Sequence, residues 1–563
     1  MSCAATASGV LMGAVIRKAK QAKRSKSSNV IADALRATGV GIGFAIVVGV
    51  LIVLASRVPI FQIPFRAVAL AGTDLGMRVA ASRFVDRGGD IRVVEGALEP
   101  TYTFLDVSDD ACDSWLRANP PSNGDRAAAQ GEDECLHPAA SRLMTQLAVQ
   151  ALEWAGDAPP RLIVFDAWVP NPILVRVAPL LANVPIVALA RTRPKLAGER
   201  IVLEDRQRLN AVSLPANFVF STDLVLADSA RDGDAAIRRY PAARAVRPAG
   251  ELSVDTLLPS TGFAVAGLAS DASAAYSLFH DFASPESQSC AAPAVEAASR
   301  KLHVDAAALC TKSHATGTSG AAYEVDKKIL FSLKTLAPPP QEASGRDQVR
   351  YSGASLSSSV YRRIPVTFED GFRRIAAEQL SGRVVIIGSS ALSAGDWHLT
   401  PLGYMTGPEV IINAARSFRL FDTPAEEPLI SQLAHKVVLS VIGGFALLPC
   451  WIVVYRLVAT RDGRMRAKAA WSKAIGLFYA GLIAVTFLIG MLFAMYVVFR
   501  WTISEAVAAY GTASAPADVL TPVLAASLEG FAEGAKVLKA FLEKVVHRLR
   551  FSWPRLWAST RRR

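Results

Sequence analysis

Three long windows of this 563-residue chain carry no charged side chain, and they constrain its architecture more than any other feature. Ala37 to Ser56, ATGVGIGFAIVVGVLIVLAS, lies between Arg36 and Arg57. Val437 to Tyr455 and Ile475 to Phe499 are the other two. At about 1.5 Å per helical residue, twenty residues reach about 30 Å, the hydrocarbon core of a bilayer. A buried core helix rarely stays apolar on every face over that length. The windows therefore predict three transmembrane helices. The first lacks a small-x-small cleavage site and is longer than a signal-peptide core, so it reads as a signal anchor.

The flanks set the orientation. Arg17, Lys18, Lys20, Lys23, Arg24 and Lys26 precede the first window. Arg456, Arg461, Arg464, Arg466, Lys468 and Lys473 fill the loop between the second and third, against the single acid Asp462. Short basic segments stay in the cytoplasm. The expected layout is a basic cytoplasmic segment over 1–36, a membrane helix over 37–56 and an exterior, periplasmic domain over 57–435. A membrane helix over 436–455, a basic cytoplasmic loop over 456–474, a membrane helix over 475–499 and a tail over 500–563 follow. That is a multi-pass protein of a bacterial inner membrane, with the bilayer as its first partner. Hydrophobic residues at 51% and charged residues at 20% agree with it. The flanks also explain part of the net charge of +12. No basic face interleaved with aromatic residues is present, so nucleic-acid binding is not expected.

Four cysteines, Cys112, Cys135, Cys290 and Cys310, fall in the exterior segment. An even count outside the cytoplasm suggests two disulfides. Cys112–Cys135 with Cys290–Cys310 is the simplest of three pairings. Free thiols or metal ligation are the alternatives, since Cys135 is near His137 and Cys310 near His314. No second ligand pair stands at zinc spacing.

Within the exterior segment, runs that are apolar throughout alternate with helical patterns. TYTFLDV (101–107), RLIVFDAWV (161–169), PIVALART (185–192), LVLADSA (224–230) and VVIIGSS (384–390) read as strands. HPAASRLMTQLAVQALEWA (137–155), ILVRVAPLLANV (173–184) and EVIINAARSF (409–418) read as helices. Uniformly apolar strands belong to a sheet covered on both faces. The fold class is α/β, a three-layer domain on a mostly parallel sheet, joined to one N-terminal and two or three C-terminal membrane helices. Residues from about 256 to 345, rich in Ala, Ser, Pro and Gly, read as a surface excursion.

Ligands of such sheets sit beyond the carboxyl ends of the strands. Asp106, Asp109, Asp110, Asp166 and Asp396 each follow an apolar run and would collect there. Converging carboxylates suit a cation or an amine ligand. The alternative is that each Asp caps the helix or turn after its strand. Gly388-Ser389-Ser390-Ala391-Leu392 lacks the second glycine of a nucleophile elbow, and Asp396 and His398 are too close in sequence to build a triad with it easily. The glycines match neither dinucleotide nor P-loop patterns. Neither an enzyme nor a cofactor is expected.

The stretch GRVVIIGSSALSAGDWHLTPLGYMTGPEVIINAAR resembles the C-terminal signature of the type-2 CHASE domain, an extracellular sensory domain associated with cyclases and histidine kinases. Gly388, Gly395, Asp396, Thr400, Pro401, Gly403, Gly407, Glu409 and Asn413 stand on the matching positions. Upstream, FLDVSDDA resembles the family's strand ending in paired Asp, which carries over Asp109 and Asp110. RLIVFDAWV carries over Asp166. VRYSGASLSSSVYRR resembles the run before the family's last strand. Pro408 and Ile411 depart from the pattern. The resemblance implies ligand-binding candidates at Asp109, Asp110, Asp166, Asp396 and Thr400, with the remaining matched residues shaping the motif. It also implies a sensor that relays an exterior state through its membrane helices. The expected kinase or cyclase output is missing after Phe499, so the partner would be a separate signalling or envelope protein, and a homo-oligomer is a further open assembly. The tail carries either a fourth membrane helix or an interfacial one over about 517–541. The alternative role is a structural scaffold subunit of an envelope assembly.

Overall fold

The structure, a computed structural model, describes residues 101–120, 138–197, 200–205, 215–222, 237, 239–247, 256–283, 326–328, 356–357, 361–390 and 396–420. It also describes scattered residues of 31–47, 71–78, 434–456 and 481–504. The chain divides into two compact units. One holds Asp74–Glu426 with Ala506–Pro516, the other Met1–Thr73, Glu427–Glu505 and Ala517–Arg563.

The first unit is built on a seven-stranded sheet, four of whose strands are expected apolar runs: β1 (Tyr102–Val107), β2 (Leu162–Trp168), β3 (Ile186–Leu189) and β13 (Val384–Gly388). The other three, β6 (Phe218–Ser221), β11 (Leu356–Ser357) and β12 (Tyr361–Val366), lie outside the runs expected from the sequence. The order across the sheet is β11-β12-β1-β13-β2-β3-β6. Neighbours from β12 to β6 run parallel, and β11 is an antiparallel edge. All six residues of β1 and all five of β13 are buried. Central strands with helices on both faces must read this way.

Alternate residues feed two cores. On one face, Leu105, Phe165 and Ile387 pack against α1 (Asp109–Ala118), α2 (Pro138–Ala155) and α3 (Asn171–Val177). On the other, Phe104, Val164 and Ile386 pack against α4 (Thr261–Ser270), α5 (Ala272–Ala283) and α6 (Gly407–Leu420). Ser108 caps α1, its Oγ accepting from the Ala111 N–H at 3.2 Å, with Asp109 and Asp110 in the first turn. Ser260 caps α4 in the same way.

The start of the expected surface excursion belongs to the core instead. β9 (Thr256–Pro259) enters it, and Thr261 to Ala269 of α4 are buried. The run TGFAVAGLA is small and uncharged on every side, which is what a helix fully enclosed between sheet and neighbours requires. At Gly262 a Cβ would lie 2.7 Å from Ala414 Cβ, so α4 and α6 approach as closely as glycine allows. Beyond α5, the rest of the excursion is outside the described residues, Asp326–Lys328 (β10) excepted. So are the expected strand at 224–230, Gly395, Cys135, Cys290, Cys310 and the tail beyond Ser504. Cys112 is buried on α1.

Three smaller sheets complete the unit, one of them β7 (Arg239–Pro241) paired antiparallel with β10. A four-stranded one contains β4 (Thr192–Ala197), β5 (Arg200–Asp205), β8 (Ala243–Arg247) and β9. A hairpin joins β14 (Trp397–Thr400) to β15 (Gly403–Thr406) immediately before α6.

In the second unit, the described residues of all three apolar windows are helical. Among the described residues, no helix is long and apolar enough to cross a membrane.

Candidate functional site

The sheet has a switch point between β1 and β13. Behind β1 the chain turns to the α1 face, and behind β13 to the α6 face. Such reversals open a crevice beyond the carboxyl ends of the strands. Three residues form one row there. Asp106 pairs in register with Gly388, and Gly388 follows the Ile387–Phe165 pair, which brings it level with Asp166. A Cβ on Gly388 would stand 3.0 Å from Asp166 Cβ and 2.9 Å from Pro408 Cγ. The glycine is therefore required by the close approach of β2 and the first turn of α6.

Asp106 is the anchor of the row. It is buried, and Arg363 reaches it from β12 through Nε at 2.8 Å and Nη2 at 2.5 Å. The Ser390 N–H donates to its Oδ1 at 2.7 Å, and the Ser390 hydroxyl donates to Oδ2 at 2.8 Å. Arg363 Nη2 also donates to Ser390 Oγ. A buried ion pair needs these extra hydrogen bonds to offset desolvation. Ser389 donates to the Val107 carbonyl at 2.6 Å. Both serines thus tie the loop after β13 to the end of β1.

Two strand positions along from Arg363, Tyr361 faces the same way and donates to Glu409 Oε1 at 3.2 Å. Burial first, then the Glu409 carboxylate, push the Tyr361 phenol well above its ordinary range. Glu409 Oε2 accepts from the Thr406 N–H at 3.1 Å, the glutamate half of a capping box in the sequence Thr-Gly-Pro-Glu. Asn413, one turn on, donates to the Glu409 carbonyl at 2.9 Å.

Asp396 lies against the start of α6. Its carbonyl accepts from the Gly407 N–H at 3.0 Å, and its carboxylate fills the space a Cβ on Gly407 would need. A carboxylate beside a helix N-terminus is favoured by the helix dipole. Its Oδ1 is 2.7 Å from His398 Nε2. The Trp397 indole N–H donates to the Ser390 carbonyl at 3.0 Å. At the sheet's next gap, the Arg191 guanidinium stacks 4.4 Å over the Trp168 ring.

The structure places Asp166 and Asp396, half-buried, around Pro408 and Gly407, with Gly388 between the strands. It separates the other candidates from them. Asp109 and Asp110 are exposed in the first turn of α1, serving the helix end. Thr400 closes its own turn, donating to the Gly403 carbonyl at 2.6 Å and accepting from the Leu402 N–H. Gly403 takes a φ of 109°, which explains a glycine there. Pro401 presents its carbonyl to Arg78 Nε at 2.6 Å. Ser390 was weighed in the sequence only as a nucleophile, and the residues missed there are Arg363 and Tyr361. Their signal is Tyr-x-Arg at period two on a strand, which aims a charge inward beside a buried acid. Among the described residues, no group of three metal-ligating side chains converges.

A family model described as the CHASE2 domain matches residues 137–450, more than half of the chain. No curated protein and no solved structure matches it. The matched span covers β2 through α6, so the crevice lies almost wholly within it, with Asp106 contributed from upstream. The chain belongs to the CHASE2 family, a family of extracellular sensory domains.

Proposed function

We propose that this protein is a membrane-anchored sensor. Its periplasmic domain takes a small ligand or a protein contact at the carboxyl edge of β13 and β2, and passes the change through the membrane helices to a separate signalling partner. The observation that carries the proposal is the junction at α6. The helix starts at Asp396, Pro408 and the Gly388 row, and its sequence leads on to the apolar window at 437–455. On this reading, a shift at its first turn is passed along the chain toward that window. The site has half-buried carboxylates at the strand ends, which suits a cationic ligand, an amine or a divalent metal. Membrane anchoring is supported by the apolar residues left exposed on the helical windows, among them Val438, Phe445, Leu482, Ile489 and Tyr496. Such side chains are stable against lipid tails rather than water.

The test is a thermal-shift screen of the detergent-solubilised full chain with divalent cations and small amines. A ligand that raises the melting temperature of the parent but not of Asp166→Ala or Asp396→Ala is the expected result. Ligands that shift parent and both variants equally would remove the carboxyl edge as the sensing site.

A further inference from the structure

The hairpin β14–β15 touches the carboxyl edge of the sheet, the segment ending at Arg78 and the start of α6. Its first strand grips the site: Trp397 Nε1 donates to the Ser390 carbonyl at 3.0 Å, and His398 lies 2.7 Å from Asp396. Its turn holds the chain segment that enters the domain. Arg78 Nε donates to the Pro401 carbonyl at 2.6 Å, and Met77 is buried in the same core cluster as Met405 of β15. The described residues of 71–78 are helical. Its second strand runs without a gap into α6, the segment that leaves the domain, and Thr406 is bound to Glu409 of that helix. A further backbone bond, Ile237 N–H to the Leu399 carbonyl at 2.7 Å, pins the hairpin from outside the sheet.

These contacts are directional. Hydrogen bonds of single backbone carbonyls and one charge-assisted donor hold each end. The large sheet is buried apolar surface on both faces and has little room to deform. A displacement at the Ser390 loop is therefore carried by the element that can move as a unit. We infer that β14–β15 is a strap coupling the carboxyl edge of the sheet to both the segment entering the domain at residues 71–78 and the segment leaving it as α6. This rests on the sensory reading, and it specifies the route by which that reading would operate.

Amide hydrogen exchange of the full chain in lipid nanodiscs tests the route without any ligand. Trp397→Phe removes the indole donor and keeps an aromatic ring. Losing a hydrogen bond of ordinary net strength speeds local opening by roughly three- to tenfold. The expected result is that acceleration at 397–406, at 71–78 and in the first turn of α6, with β1 and β2 unchanged. Arg78→Gln, altered at the other end, is expected to accelerate exchange at 397–406 and at Ser389 and Ser390, because coupling between two ends is reciprocal. Acceleration confined to the residues beside each substitution overturns the strap. So does acceleration equal to that of β1 and β2, which would leave the hairpin no unit of its own. Neither outcome depends on whether a ligand is found, so the strap and the sensory reading fail separately.

Discussion

At the scale of single residues, Arg363 and Asp106 decide the shape of the crevice. Both are buried, and each is the other's charge partner. Arg363→Met is expected to cost about 3–5 kcal/mol, because it leaves a buried carboxylate with only Ser390 beside it. Asp106→Leu combined with Arg363→Met is expected to cost clearly less than the sum of the two single changes. Denaturant melts of the three variants check this, and additive costs would contradict it. Tyr276 makes a pH-dependent contribution. Its hydroxyl donates to the Asn217 carbonyl at 2.9 Å, and burial pushes its pKa from 10.0 to about 12. The fold therefore favours the neutral phenol. That stability is full below about pH 10 and is lost as pH rises from about 10 to about 12, where the unfolded chain releases the proton first. Tyr276→Phe is expected to be less stable at pH 8 and to lose less over that interval. Parallel pH profiles of parent and variant melts would contradict the role. Only part of this was legible in the sequence. Asp166 and Asp396 were found because each follows an apolar run. Arg363 was not, because nothing in YRRIP tells which of two adjacent arginines turns inward until the strand's register is fixed.

At the scale of elements, the strands were readable because central parallel strands are apolar at every position. β1, β2, β3 and β13 all coincide with such runs. Helix α4 was not readable as core. Its alanines and glycines look like loop composition until α6 is placed against it, when small residues become the condition for close packing. Asp109 and Asp110 were misplaced for a related reason. They lie past the strand, in the first turn of a helix that Ser108 starts. Gly388 supplies the element-level prediction. Gly388→Ala puts a methyl group against Pro408 and Asp166, and overpacking of this kind costs about 1–3 kcal/mol. Urea melts are expected to show that loss, together with faster exchange in the first turn of α6. An Ala variant as stable as the parent would mean that β2, β13 and α6 do not meet tightly.

At the scale of the whole molecule, the proposed function requires the sensory domain to be joined to a membrane. The basic segments at 17–26 and 456–473 are expected on the cytoplasmic side and residues 101–420 outside. Single cysteines introduced into each region of a cysteine-free chain, labelled in intact cells with an impermeant maleimide, check this. Labelling is expected in the exterior domain alone, and labelling of the 456–474 loop would reverse the orientation. The central claim is that the protein relays a signal to a partner. Affinity capture of the full chain from native membranes, with quantitative mass spectrometry, tests it most directly. The account predicts co-purification of a kinase, a cyclase or another signalling enzyme, reduced when β14–β15 is weakened by Trp397→Phe. Recovery of envelope-assembly proteins alone, in fixed ratio and unaffected by that substitution, would contradict it and make the protein a structural subunit.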